Sequence, residues 1–231
     1  ALHQEKDPQN LLLARMPRLR LPAEAIRDQA LAVSGLLTPT IGGPSVKPYQ
    51  PAELWSALTF QSMDEYDTNF YVQDTGENLY RRGLYTFWKR TILPPHMQIF
   101  NAAGREMCSM RQENTNTPMQ ALTLLNDVTF VEATRFLGQR MIQEGGARSL
   151  DRVRYGFKLL FAQAPTPAKE QVLMGALNDY QAHYYQHPDE AAKLLKVGDG
   201  PADASIPEPE LAAYTLLASV MLNTDQAITR E

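Results

Sequence analysis

Cysteine is almost missing from this chain. Cys108 stands alone among 231 residues, which excludes an internal disulfide, a CxxCH haem attachment and a cysteine-rich zinc site. If buried, such a lone thiol behaves as a small inert hydrophobe. Long apolar runs are also absent. No stretch approaches the ~18 residues that cross a membrane, so no membrane span is expected. Nor is there an excess of positive charge, because 22 Lys and Arg face 26 Asp and Glu for a net charge of -4. With a pI near 5.6, the chain is expected to bind no nucleic acid. No GxSxG, HExxH, P-loop or GxGxxG pattern occurs. The common signatures of hydrolase, metalloprotease and nucleotide sites are therefore lacking. The opening residues, ALHQEKDPQNLLLARM, contain no basic region followed by an apolar stretch and no initiator Met. The chain is expected to be a processed or excised piece of something longer.

What is there is ordinary globular material, 44% hydrophobic and 21% charged, enough to bury a core. Helical periodicity dominates. Pro22 is placed to open a helix whose stripe is Ile26, Ala30, Val33 and Leu37, closed by Thr38-Pro39. Gly42-Gly43-Pro44 reads as a loop, a short helix is expected over 52–58, and 69–72 reads as a short strand or extended segment. NLYRRGLYTFWKRT (78–91) spaces Tyr80, Leu84, Phe87 and Trp88 along one helical face and leaves its cations over. Thr117-Pro118-Met119-Gln120 is a capping box with Pro at the first helical position. The apolar positions Met119, Leu122, Leu125, Val128, Val131 and Phe136 follow it. Asn126-Asp127 is expected to split that run, with Asp127 capping the second helix. Further helices are expected after Ser149, after Thr166-Pro167, over 189–196 and from Pro209, the last burying Leu211, Tyr214, Leu217, Ala218 and Met221. The expected fold is mainly α: a single irregular multi-helix domain over 1–231, with long ordered loops and little or no sheet.

Three stretches carry a family resemblance: AEAIRDQALAVSGLLTPTIGGPSVKPYQP, LYRRGLYTFWKRTILPPHMQIFNAAGREMCSMRQENTNTPMQALTLLND and ELAAYTLLASVMLNTDQAITRE. Together they resemble the planctomycete-specific domain of unknown function at the C-terminal end of large exported bacterial proteins. In that family the domain follows a c-type cytochrome domain and a second planctomycete-specific domain. The resemblance implies a periplasmic or extracellular location and partners in the upstream domains of the same polypeptide, including the cytochrome domain. It implies no cofactor within this segment and supplies no catalytic residues. The chain departs from the family pattern at Val128, where Pro is frequent, and at Met110-Arg111, where Arg-Arg is frequent.

The densest polar stretch runs from Arg105 to Asn116. Folded back, it would bring Arg105, Arg111, Asn114 and Asn116 near Arg81, Arg82, Lys89 and Arg90, a set of fixed donors suited to carboxylates, sulfates or sugar hydroxyls. The Glu106 carboxylate belongs to the same candidate ligand-binding set as Arg81, Arg82, Arg105, Arg111, Asn114 and Asn116. The plainer reading is that these groups satisfy a long loop's own backbone. Arg81, Arg82 and Arg90 are expected to clamp this segment through Glu106 and Glu113, with Phe87 and Trp88 mostly buried and Lys89 reaching solvent. Glu106, Glu113, Asp127 and Glu132 are candidate acid-base carboxylates if two converge in space. Glu132 and Arg135, three apart, read as a surface ion pair. His96-Met97 invites a haem-ligand reading against a core role, and His183 and His187 have metal-compatible spacing but read as a solvated helix end. Two functions remain. One is a non-catalytic auxiliary module that docks on upstream domains or binds extracellular polysaccharide. The other is an enzyme domain or binding site for glycans or anionic polymers built on the Arg/Asn loop. No metal is expected.

Overall fold

The computed structural model describes residues 5–14, 16, 18–51, 54–55, 71–89, 92–105, 108, 110 and 115–230. The short helix expected over 52–58, and 69–70 of the segment before Tyr71, lie largely outside these residues. The fold is mainly α. In chain order it contains β1 (Leu19–Arg20), α1 (Ala23–Ser34), two short 3-10 turns (Gly76–Tyr80 and Gly83–Tyr85), α2 (Pro95–Ile99) and α3 (Pro118–Asn126). There follow α4 (Val128–Glu144), α5 (Ser149–Phe161), α6 (Pro167–Gln186), α7 (Pro188–Leu195), α8 (Glu208–Leu222), α9 (Asp225–Ile228) and β2 (Thr229–Arg230). The two-residue strands pair antiparallel, Leu19 with Arg230 and Arg20 with Thr229, and tie together segments far apart in the chain.

Helix α8 lies at the centre of the core. Its buried residues are Leu211, Ala212, Ala213, Tyr214, Thr215, Leu217, Ala218, Ser219, Met221 and Leu222. A helix apolar on nearly all sides belongs inside a bundle, and α8 packs against α4, α6, α7, α3 and α5. It crosses α4 closely at Gly138, where an added Cβ would lie 3.0 Å from the Thr215 nitrogen. Phe100, Phe130, Leu137, Met141, Val153 and Leu177 are among the other members of the core.

Most of the helix boundaries follow their local signals. Pro22 stands just before α1, and the helix ends at Gly35, in the left-handed conformation, ahead of Thr38-Pro39. The Thr117 capping box opens α3. Asp127 separates α3 from α4, and its side chain accepts the Thr129 N–H at 2.9 Å. Thr166 caps α6. Cys108 is exposed, not buried. The face expected from Met119, Leu122 and Leu125 points outward, with these residues 58%, 51% and 40% exposed. Leu124 and Gln120 turn inward instead. The reason is polar: the Gln120 amide donates to the Ile99 carbonyl at 2.9 Å, while its oxygen accepts the Thr117 N–H at 3.2 Å.

The 78–91 stretch forms no α-helix over its described residues. A helix would use the carbonyls of Leu79, Tyr80, Arg81 and Tyr85 internally, and here distant donors take them. Arg27 donates to Arg81 and Leu79 at 2.6 and 2.7 Å. Thr38 N–H reaches Tyr80 and Val46 N–H reaches Tyr85. Parallel bridges join Thr38 to Arg81 and Val46 to Thr86. Leu84, expected in the buried stripe, is 59% exposed. Phe87, Trp88 and Lys89 are half-buried, and the Lys89 ammonium sits 4.8 Å above the Trp55 ring.

Replacing Thr117 by Ala should cost about 1 kcal/mol. Gln120→Leu should cost more, roughly 2–3 kcal/mol, because it strands the Ile99 carbonyl and the Thr117 N–H together. Urea midpoints for the two variants, at unchanged slope, check the order; equal midpoints would contradict it.

Candidate functional site

The most unusual polar group of the core is Glu132, on α4. Its side chain and that of Arg135 are each 1% exposed, so the surface ion pair expected from their spacing is a buried one. The i, i+3 spacing is the same in either setting, and here the loops packed over α4 take both groups out of water. A carboxylate removed from water needs donors, and Glu132 has them. Tyr49 Oη donates to Oε2 at 2.9 Å. Oε1 accepts from Tyr80 Oη at 3.0 Å and from the Gly200 N–H at 2.7 Å, with Arg135 Nη2 at 3.5 Å. Arg135 in turn donates to the Gly200 carbonyl at 2.5 Å and the Val197 carbonyl at 3.3 Å. Tyr49 Oη also accepts the Asp199 N–H at 2.8 Å.

This cluster pins the 197–201 loop onto α4. Gly198 has φ +90°, and a Cβ there would lie 2.4 Å from Glu132 Cδ. Only glycine fits both the conformation and the gap. Burial raises the Tyr49 hydroxyl well above its ordinary range and pushes Tyr80 up to about 12, so both stay protonated donors. Burial lowers the Arg135 guanidinium, and Glu132 opposes that shift.

Outside this cluster lies an open cleft of about 680 Å³, walled by Leu36, Leu37, Thr38, Pro39, Tyr80 and Pro201, with Glu77 and Asp199 at its rim. Both rim carboxylates are exposed. Such a volume suits a small ligand or a short length of polymer.

A second internal network surrounds α1. Arg27 is fully buried, and desolvation lowers its guanidinium from the ordinary value, with Asp28 and Asp127 opposing. His96 is 2% exposed, and Met97 fully buried. This is a core setting for both. Burial holds His96 down to about 4 against the pull of Asp127.

The arginines expected to form one site go to different places. Arg81 is buried and donates to the carbonyls of Pro44 at 2.9 Å, Thr40 at 3.2 Å and Gly42, with its guanidinium 4.0 Å above the Tyr85 ring. Arg82 lies 3.4 Å from Asp28. Arg105 lies 3.7 Å from Glu24 and stacks 4.2 Å above Trp88. Glu24 and Asp28 are one helical turn apart, so α1 gathers Arg82 and Arg105 along its length. Arg81 thus clamps the 40–44 loop, whose carbonyls lack a ladder of their own. Asn116 is exposed. Arg90, Glu106, Arg111, Glu113 and Asn114 lie outside the described residues. At the ends of the polar stretch, Arg20 donates to the Thr115 carbonyl, and Thr115 Oγ1 donates to Asn101 Oδ1 at 2.8 Å. His183 pairs with Glu190 at 2.8 Å at an exposed helix end, and no group of three or more metal-ligating side chains occurs among the described residues.

The family model described as PSD1, protein of unknown function (DUF1553), matches residues 1–177. No curated protein and no solved structure shows significant similarity.

Removing one partner of the buried pair, Glu132→Ala, should cost roughly 3–5 kcal/mol. Tyr49→Phe and Tyr80→Phe should cost less and combine non-additively. A denaturation midpoint unmoved by Glu132→Ala would show that the cluster holds nothing. His96 also makes stability depend on pH. Its folded value lies below the unfolded one, so the unfolded state binds the proton first as pH falls. Stability should therefore decline from about pH 6.5 down through about pH 4, and His96→Gln should flatten that part of a pH–melting profile.

Proposed function

Since the chain belongs to the PSD1 family of proteins of unknown function, we propose from its own geometry that it is a non-catalytic auxiliary module of a larger polypeptide. The observation that supports this most is the saturation of Glu132. A general acid or base needs a lone pair or proton that a substrate can reach, and both oxygens of this carboxylate accept from internal donors. The buried arginines are likewise engaged with main-chain carbonyls. These are the contacts of a clasp.

The resemblance of the long motifs supports the setting: an exported protein, periplasmic or extracellular, in which this module docks on upstream domains that include a c-type cytochrome domain. Within the module, the cleft is the surface offered to a polymer. Glu77 and Asp199 bring two negative charges, and among the described residues no cation lines the cleft, which favours a neutral polysaccharide over an anionic one. Carboxylates accept from paired sugar hydroxyls, and Tyr80 with the two prolines gives apolar walls.

Affinity electrophoresis in neutral polysaccharides tests the reading. Retardation should be seen with the native chain, and affinity should fall roughly tenfold in Asp199→Ala, as expected for one lost hydrogen bond to a charged group, with the melting temperature unchanged. Steady release of reducing ends, abolished by Glu77→Gln, would overturn the non-catalytic assignment, because a carboxylate pair would then be cutting the chain.

A further inference from the structure

Away from this cleft, a second cavity of about 500 Å³ opens between α5, α6 and α8. Its floor is the Phe157–Phe161 pair, with ring centroids 4.4 Å apart. Val172 and Leu173 of α6 and Val220 and Met221 of α8 form the walls. Val172 is 70% exposed and Val220 38%, so apolar surface stands open to water here, and covering it is favourable. The cavity continues through Phe161, Asp225 and Gln226 into a second pocket of about 390 Å³ that ends at Arg230.

Among the described residues, the charges along this groove do not balance. Asp225 is paired with Arg18, and the nearby Glu170 is held by Arg154 at 2.6 Å. Lys169, at the mouth of the apolar half, donates to the neutral amide of Gln226 at 2.8 Å and sits 5.4 Å above the Phe157 ring. Arg230, at the polar end, donates to the amide oxygen of Gln29 at 2.8 Å. Among the described residues neither cation has a carboxylate partner. An apolar trough with Lys169 at its mouth is complementary to an amphiphile with one anionic head.

We propose that this groove binds a medium-chain acyl carboxylate, its tail over Phe157 and Phe161 and its head at Lys169. The site is separate from the polysaccharide cleft and does not depend on it.

The test is displacement of a fluorescent fatty acid from the whole chain by a series from octanoate to laurate, with dodecanol as the uncharged control. Saturable binding at one site per chain is expected, tightening about fourfold for each added methylene. Val172→Asp, a change at an exposed position, should weaken laurate roughly tenfold or more, as a charge set among the tail's contacts requires, with the circular dichroism spectrum unchanged. Lys169→Gln should weaken laurate and leave dodecanol alone. Absence of saturable binding, or laurate affinity unmoved by Val172→Asp, overturns the proposal. So does a Lys169→Gln variant that treats laurate and dodecanol alike. A chain that instead forms a dimer, lost in Val172→Asp, assigns the groove to a second copy and overturns it as well.

Discussion

A carboxylate removed from water must be answered inside the protein, and the way Glu132 is answered organises this molecule. Its donors come from Tyr49, Tyr80, Gly200 and Arg135. The first three of those residues belong to segments with little regular structure of their own. Arg27 does the matching task with the opposite charge, giving its guanidinium to the carbonyls of Leu79 and Arg81. Buried charges on the helices thus serve as the hydrogen-bond partners that a sheet or helix would otherwise provide. The energetic logic is one of dependence: such groups are costly alone and tolerable only together.

What is legible in the sequence and what is not divides by the range of the interactions. The Thr117 capping box, the Asp127 break and the stripe through Leu211, Tyr214 and Leu217 depend on neighbours within a few residues, and each stands where its pattern places it. Over its described residues the 78–91 segment forms no α-helix, because its carbonyl partners come from Arg27, Thr38 and Val46. Its aromatic spacing is real but not decisive. The burial of Glu132 and Arg135 is invisible in a three-residue spacing, which is the same for a surface pair. The cleft and the apolar groove join residues far apart in the chain, and no local pattern announces either.

The family match ends at residue 177, within α6. The helix at the centre of the core, α8, and the loop that closes on Glu132 both lie beyond it. Residues past the matched span therefore complete the packing of those within it, through α8 on α4 and through Gly200 on Glu132.

The separations along the chain carry a consequence for how the molecule is made. Glu132 is 83 residues from Tyr49, 52 from Tyr80 and 68 from Gly200. At a synthesis rate of about 5–20 residues per second, Gly200 follows Glu132 by roughly 3–14 s. Individual helices can form in about a microsecond, so α4 can sample its helix long before its carboxylate can be fully satisfied. Until the 197–201 loop arrives, that face of α4 must remain hydrated. Each of these contacts spans a long stretch of chain, which sets this helical protein apart from bundles whose contacts are local.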